Sequence, residues 1–223
     1  VVTQLFTRVP LSDPRRGGVI SNAAVMTMTA TPTRTQPITR GAWINAVIFN
    51  DPPEPPPADI PPLPEDDTEE LAKLTIRERL AAHRERKDCA GCHNKIDPMG
   101  FAMENYGPTG VWRDKYENGR DVDVSGVLFN QHEFKTFLEF KEIIVKEKDR
   151  FVRGFISHLL SYALSRELGP TDSPALDEMT ARAMSGEDSM RAVLKSIAMS
   201  DPFLQMDNFK RNEKIEDSKS KVP

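Results

Sequence analysis

Residues 75–113 read TIRERLAAHRERKDCAGCHNKIDPMGFAMENYGPTGVWR, and they contain the only two cysteines of the 223-residue chain. Cys89 and Cys92 are separated by two residues, and His93 follows the second cysteine directly. Two thiols at this spacing can form thioethers with the two vinyl groups of one haem, and the adjacent histidine then reaches the iron as its proximal ligand. The spacing therefore predicts one covalently bound haem c with its iron.

Three other kinds of site share part of this pattern. A thioredoxin-like redox pair follows a strand and precedes a helix, whereas here a charged helix comes first and Asp97-Pro98 is expected to break the chain soon afterwards. A zinc site needs two more ligands, which His83 and one further histidine would supply only by coincidence. Two buried free thiols would leave His93 unexplained. Haem attachment is the interpretation that uses all three residues of the motif.

The motif leaves the second axial ligand of the iron open. His83 lies six residues before the first cysteine, on the apolar side of a predicted short helix. Met99 and Met103 are thioethers that also ligate haem iron, but their short distance from the motif makes the opposite face of the ring hard to reach. We expect His83 in this position, with either methionine or an open site as the alternatives.

Several further residues are candidates for contact with the haem. Trp112 is expected to pack on its edge, and Arg113 to pair with a propionate, because guanidinium groups bind carboxylates in a bidentate manner. Arg34 and Arg40 are looser candidates for the same contact, and an ordinary surface salt bridge is the alternative for each. The two remaining histidines are expected elsewhere: His132 at the start of a helix or facing water, and His158 within a helix, where it could be buried.

The segment resembles the haem-bearing module of large multi-domain planctomycete-type cytochrome c proteins, whose domains mostly carry unknown-function names. The matching residues are Arg77 to Leu80, His83-Arg84, Cys89 to His93, Ile96-Asp97-Pro98, Gly100-Phe101, Glu104-Asn105-Tyr106 and Gly110 to Arg113. The likeness covers residues 11 to about 204, and Met99 and Gly107 depart from the usual leucine and aspartate. It implies a periplasmic or otherwise exported protein several times longer, so that an upstream part of it, or a partner chain, adjoins this fragment.

The chain divides into five predicted segments. These are an N-terminal segment (1–50), a linker (51–67) with eight prolines, a haem c-binding module (68–131), a C-terminal helical module (132–206) and a charged, disordered tail (207–223). We expect a mainly α fold with an irregular N-terminal region, a cytochrome c-like haem pocket, a small β-hairpin and a C-terminal helical group.

Local patterns predict the individual elements. Thr75 and Glu78 form a capping box ahead of a helix that places Ile76, Leu80 and His83 on one face. Asn118-Gly119 predicts the turn of a hairpin within 114–131. The alternation of methionine and threonine in VMTMTATPTRT (25–35) favours an extended piece or a loop.

The C-terminal third is predicted to be helical. Phe134, Phe137, Leu138 and Lys141 open one helix, and Phe151, Phe155, Leu159 and Tyr162 mark the core face of a second that Gly169-Pro170 ends. Met179, Met184 and Met190 are predicted to be core residues of two more helices.

Charge and composition restrict the possible functions. The formal net charge is −4 without a block of basic residues, which argues against nucleic-acid binding. No apolar run approaches the roughly 20 residues that span a bilayer. The sequence favours single-electron transfer with a redox partner protein. The alternatives are a peroxidase-like or substrate-oxidising haem enzyme with an open coordination site, and a scaffold module in which haem is structural.

Overall fold

The computed structural model describes residues 10–55, 68–84, 87–186 and 189–205, with the backbone alone for 82–84 and 87–90. The chain is mainly helical, with 54% helix and one small antiparallel hairpin, which confirms the predicted class. The predicted tail and most of the proline-rich linker lie outside these ranges. Two compact units are present: the first comprises 1–46 and 52–146, and the second comprises 47–51 and 147–223. The first unit thus combines the N-terminal segment with the haem-motif region.

The elements of the first unit centre on one long helix that carries the cysteine motif. In chain order they are α1 (Ala23–Met28), α2 (Pro37–Trp43), α3 (Glu69–Ala72), α4 (Ile76–Arg84), α5 (Lys87–Phe101), β1 (Gly126–Leu128), β2 (His132–Phe134) and α6 (Phe137–Lys146). A π-helical segment (Ile44–Ile48) continues α2, and its last two residues belong to the second unit. Helix α2 packs closely against α5, since a Cβ atom on Gly41 or Gly100 would collide with backbone of the other helix. These two glycines therefore fix the distance between α2 and α5.

Helix α4 begins where the capping box predicts. The backbone amide of Thr75 donates to the Glu78 carboxylate (2.8 Å), and the amide of Glu78 donates to the Thr75 hydroxyl (3.3 Å). Leu80 is buried. The side chain of His83 lies outside the described part of the structure, so its predicted place on the same face stays a prediction.

Helix α5 does not break at Asp97-Pro98, so that prediction is wrong. Pro98 lies inside the helix, and the amide of Ala102 still donates to the Pro98 carbonyl at 3.2 Å. Proline removes the hydrogen bond to the carbonyl four residues earlier, which belongs to Asn94. Asn94 is exposed, so water can satisfy that carbonyl. The motif and the buried residues after it consequently share one rigid element.

Residues 23–28 form helix α1, whereas the sequence favoured an extended piece or a loop. Asn22 caps the helix through its side-chain oxygen, which accepts from the amide of Ala24 at 2.9 Å. The hydroxyls of Thr27 and Thr29 donate to carbonyls four residues earlier, so these polar side chains are satisfied within a helix. The alternation of Met and Thr misled because Met26 alone of the two methionines is buried.

The hairpin lies later than predicted. Asn118-Gly119 does form a turn, beside an isolated bridge between Lys115 and Asp121, but the paired strands are β1 and β2. Phe134 and His132 therefore belong to a strand and not to the start of a helix, which corrects both predictions. The β1–β2 turn places Phe129 and Asn130 at φ values of 53° and 58°.

The second unit is a helical group. It contains α7 (Lys148–Leu164), a 3-10 turn (Pro170–Asp172), α8 (Ser173–Met184), α9 (Met190–Ala198) and α10 (Asp201–Leu204). Its core consists of aliphatic and methionine side chains from α7, α8 and α9: Ile156, Leu160, Leu164, Leu176, Met179, Ala183, Val193 and Ile197. Asp172 and Arg166 form a bidentate ion pair with two contacts of 2.8 Å, which joins the end of α7 to the start of α8.

The predicted core face of α7 is right at two positions of four. Phe155 and Leu159 are half-buried and pack against the core of the second unit, whereas Phe151 is exposed and Tyr162 is 85% exposed. The buried positions belong to the adjacent aliphatic stripe at 156, 160 and 164. His158 is exposed, which corrects the suggestion that it could be buried. The helix ends before Gly169, at Leu164, with Ser165 in the left-handed conformation.

The methionine prediction for the last helices holds at one position of three. Met179 is buried in the core, whereas Met184 and Met190 are exposed near the ends of their helices. Helix ends project beyond the packed layer, so apolar spacing there does not imply burial.

Candidate functional site

Helix α5 brings the three motif positions within one turn. Residues three and four apart are neighbours on a helix, so positions 89, 92 and 93 lie on one side of the backbone. Cys92 is a half-buried free thiol, and the side chain of Cys89 lies outside the described part of the structure. Because Cys92 is half-buried, the side of α5 that carries the motif is not sealed within the core.

His93 is the best-defined side chain of the site. It is 9% exposed, and its Nδ1 lies 2.8 Å from Oδ1 of Asp97, one turn further along α5. Because an ionised carboxylate only accepts hydrogen bonds, Nδ1 is the protonated nitrogen and Nε2 is the nitrogen that would bind a metal. Sequence reasoning missed this role of Asp97, although a histidine and an aspartate four residues apart on a predicted helix give a usable signal.

A small cavity of 220 Å³ adjoins His93 and Asp97. Its other walls come from α4, from the end of α5 and from the hairpin, and they include Arg77, Phe101 and Asn130. Arg77 donates to the carbonyl of Ser125 at 2.7 Å, and its guanidinium lies 4.2 Å from the Phe101 ring centroid. The cavity is thus lined by polar side chains together with the apolar Pro98, Phe101 and Val127.

Met99 and Met103 are fully buried side chains of the first unit. Met99 follows His93 by six residues on the same helix, which corresponds to about 9 Å along the axis and roughly 240° around it. Met103 lies beyond the end of α5, and its carbonyl accepts a hydrogen bond from Arg40 at 3.1 Å. Both side chains are positioned as core residues, and the structure does not bring either of them to the cavity beside His93.

A buried charged network lies beyond the end of α5. Glu104, which is fully buried, accepts hydrogen bonds from the Thr35 hydroxyl (2.7 Å) and from Arg113 (3.1 Å). Arg40, 1% exposed, lies 3.6 Å from the other carboxylate oxygen. Burial raises the pKa of Glu104 and lowers the pKa of Arg40, while their mutual attraction opposes both shifts. Arg40 and Thr35 are 64 and 69 residues from Glu104 in the chain, so no local pattern revealed their part of the network.

This network accounts for two of the predicted haem contacts in another way. Arg113 is engaged with Glu104, and Arg40 donates to four backbone carbonyls at 2.7–3.4 Å. Trp112 packs edge-on against Tyr106 at 5.2 Å and donates to Asp114. The haem contacts of Trp112 and Arg113 therefore stay predictions, with a structural role already present for each side chain.

Arg34 and Arg113 do come together at a second cavity. It has a volume of 330 Å³, and Arg79 of α4 lines it as well. His93 is not among the residues that line it. The structure consequently separates these arginines from the cavity beside the motif histidine.

The described residues contain neither a group suited to hold a metal ion nor a helix suited to cross a membrane. Within 10–55, 68–84, 87–186 and 189–205, no three or more His, Cys, Asp and Glu side chains are grouped so as to hold a metal ion. In the same part of the chain, none of the helices has the length and apolar character needed to cross a membrane.

Two family models match parts of the chain. Residues 16–116 match the model of a family described as a protein of unknown function (DUF1588), and residues 130–203 match a second, described as a protein of unknown function (DUF1585). Both are uncharacterised domains found in planctomycete-type cytochrome c proteins, which confirms the resemblance at the level of the domains. No curated protein and no solved structure matches the chain.

Proposed function

We propose that this chain, with its DUF1588 and DUF1585 regions, carries one covalently attached haem c and transfers single electrons within an exported multi-domain protein or complex. Cys89 and Cys92 would hold the haem, and His93 would ligate its iron. The observation that carries the proposal is the Cys-x-x-Cys-His motif on α5, together with the hydrogen bond from His93 to Asp97. Metal-binding histidines almost always donate their other ring nitrogen to such an acceptor.

The donor set fits a haem. The two cysteine positions and His93 lie within about one turn of α5. Cys92 is half-buried and is not in a disulfide. The ring of His93 is held through Nδ1, so its orientation is set before any metal binds. The chemistry that a bound haem supplies is the uptake of one electron by its iron from a donor protein and its release to an acceptor.

The space beside His93 supports electron transfer in particular. The cavity of 220 Å³ is smaller than the roughly 300–1,000 Å³ of pockets that enclose whole small-molecule ligands. Asn94, which lines this cavity together with His93, is exposed. A haem held here would be enclosed in part, with an edge near the surface where a redox partner docks.

For the second axial ligand, the methionines are the weaker candidates. An axial ligand opposite His93 must approach from the other face of the ring, whereas Met99 belongs to the same rigid helix as His93 and is buried in the core. Met103 would have to leave the core as well. We retain His83 as the proposed sixth ligand, with an open site as the alternative.

A second candidate function is a haem enzyme with an open coordination site. One observation favours it: the partner of His93 is a carboxylate, and such a partner raises the basicity of the ligand. The chemistry that a haem with such a ligand and an open site would supply is the oxidation of a substrate by peroxide. A high-spin ferric spectrum that changes on addition of cyanide or peroxide would support the enzyme, and a low-spin spectrum insensitive to both would support electron transfer.

The cofactor also implies a location and partners. Haem is added to Cys-x-x-Cys-His outside the cytoplasmic membrane, so we propose a periplasmic or otherwise exported protein. The redox partner would be another protein, or another part of the same polypeptide.

The test of attachment is denaturing electrophoresis followed by staining for haem peroxidase activity. The full chain, produced with a haem-attachment system in the periplasm, should stain at its own position on the gel. Cys92→Ala should stain weakly or not at all, whereas Asn94→Ala, an exposed position on the same helix, should stain like the unaltered protein. Absence of stain from the unaltered chain, with haem freely extractable into acidified organic solvent, would refute covalent attachment.

A further inference from the structure

The acceptor that faces His93 is a carboxylate and not a peptide carbonyl. Nδ1 of His93 and Oδ1 of Asp97 are 2.8 Å apart, and the two residues are 9% and 6% exposed. An aspartate with so little exposure is uncommon unless a partner compensates its burial. A solvated helix surface would require neither the burial nor the pairing of these two residues.

We infer that Asp97 is a positioning residue that sets the electronic character of His93 and lowers the reduction potential of the haem. The inference rests on the proposed function, since it requires haem iron bound to Nε2 of His93. Asp97 would act only through His93, as it is the ring nitrogen remote from the metal that meets the carboxylate.

Two physical effects have the same direction. The carboxylate draws the Nδ1 proton towards itself, which makes the imidazole a stronger electron donor to the metal. Its negative charge in a poorly solvated site also favours the oxidised, more positive state of the iron over the reduced state. Both effects stabilise ferric relative to ferrous iron, so the reduction potential falls.

The backbone around Asp97 is held on both sides. Asn45 donates to the carbonyl of Lys95 at 3.2 Å, and the close contacts of α2 with α5 occur at Ile96 and Gly100. These contacts bracket Asp97 within six residues of α5, from Lys95 to Gly100. The carboxylate is therefore placed by packing that does not depend on a bound haem, as a positioning residue requires.

Arg77, a cation that lines the same cavity, is paired with a carboxylate other than Asp97. Its Nε lies 3.2 Å from Asp123, and one of its terminal nitrogens donates to the carbonyl of Ser125 at 2.7 Å. Arg77 is thus committed to the loop before β1. Its positive charge is paired there with Asp123. Of Arg77, Asp123 and Asp97, it is Asp97 that contacts the His93 ring.

The test is the reduction potential of the haem-loaded full chain and of Asp97→Asn, measured by redox titration in the visible spectrum. Asparagine keeps the shape and an acceptor oxygen but removes the charge. We expect the equilibrium to shift towards the reduced form by about tenfold or more, which is about 59 mV upward for one electron. The matched control is Asp172→Asn, another buried aspartate, which lies in the second unit and should leave the potential unchanged.

The outcomes separate this inference from the proposed function. Haem attached covalently with the same potential in Asp97→Asn and in the unaltered chain would overturn the inference and leave the proposed function intact. Absence of covalent haem from the unaltered chain would overturn the proposed function itself. An equal shift in Asp172→Asn would show a general loss of packing, and it too would overturn the role of Asp97.

A second measurement applies if Asp97→Asn takes up no haem. The iron–histidine stretching band of the unaltered ferrous protein can be recorded by resonance Raman spectroscopy directly after photolysis of its carbon monoxide complex. A frequency above that of c-type haems whose proximal histidine donates to a peptide carbonyl supports the inference. A frequency equal to theirs contradicts it.

Discussion

Replacement of Arg40 by methionine should destabilise the first unit severely. Arg40 is almost fully buried, and its two terminal nitrogens donate to the carbonyls of Met26, Met103, Tyr106 and Gly107 while facing Glu104 at 3.6 Å. Methionine fills much of the volume but supplies no donor, so the carboxylate loses one cationic partner and the carbonyls lose their hydrogen bonds. Removal of one partner of a buried ion pair costs about 3–5 kcal/mol. That loss is a large share of the roughly 5–15 kcal/mol by which whole domains are stable.

The free energy of unfolding can be measured by urea denaturation followed by tryptophan fluorescence. Both tryptophans of the chain, Trp43 and Trp112, lie in the first unit, so the signal reports on that unit. The matched control is Arg120→Met, because Arg120 pairs with Glu78 at 2.8 Å on the surface, and such exposed pairs contribute about 0–1 kcal/mol.

Coupling between the two buried charges gives a further check. In the double variant Arg40→Met/Glu104→Gln the carboxylate charge is also absent, so the double loss should be smaller than the sum of the single losses by about 0.5–3 kcal/mol. A loss for Arg40→Met no larger than that of Arg120→Met would refute the reasoning, since the buried guanidinium would then behave like an exposed one.

Three further predictions concern individual positions. Gly100→Ala should destabilise the first unit by about 1–3 kcal/mol in urea denaturation, because its Cβ would collide with the backbone of Pro37. Gly91→Ala should not, because a Cβ there would have no atom within 4 Å. Equal changes in the free energy of unfolding for the two variants would count against the close packing of α2 on α5. The pKa of Asp172 lies below its ordinary value of 3.8 because Arg166 donates to it, so the stabilisation by this ion pair is complete above pH 3.8 and is lost as the pH falls through the folded-state pKa. Thermal melts followed by circular dichroism should show an acid-dependent decrease in melting temperature that Asp172→Asn lacks. The same decrease in the variant would contradict this. Ser165→Gly should raise the stability of the second unit by about 1 kcal/mol, since Ser165 has a φ of 53° that glycine adopts without strain, and a lower melting temperature would contradict that account.

Local signals predicted those features that local interactions determine. The capping box at Thr75 and Glu78 fixed the start of α4 because both hydrogen bonds form within four residues. The family resemblance was also readable, since it rests on a contiguous stretch around the cysteine motif. The pairing of His93 with Asp97 is equally local, because a four-residue spacing on a helix makes them neighbours, but it was missed since a chain break was expected at Asp97-Pro98.

The features that the sequence did not predict depend on contacts between distant segments. The core face of α7 is one example: the stripe with Phe151 and Phe155 and the stripe with Ile156 and Leu160 both fit helical spacing. Packing against α8 and α9 buries the aliphatic stripe, whereas Phe155 is only partly buried against the same core and Phe151 is exposed. The two phenylalanine rings stack with their centroids 6.1 Å apart. Periodicity alone does not distinguish two apolar stripes offset by about 100°.

The buried network of Arg40 and Glu104 is a second example. Each residue taken alone resembles an ordinary surface charge, and sequence reasoning assigned Arg40 to a haem propionate or a surface salt bridge. Its burial follows from the packing of α2 against α5 and the loop after it, which places the guanidinium among backbone carbonyls. Such an environment depends on tertiary structure and is invisible in a window of a few residues.

Covalent haem attachment is tested most directly by the intact mass of the full chain, denatured in acid, after production with a haem-attachment system. We predict a mass larger than that of the polypeptide by one haem. After proteolysis, the added mass should be on the peptide that contains Cys89 and Cys92. The absorption of the haem should remain with that peptide during chromatography. A mass equal to that of the polypeptide alone, with both cysteines open to alkylation, would contradict the central claim that this motif binds haem covalently.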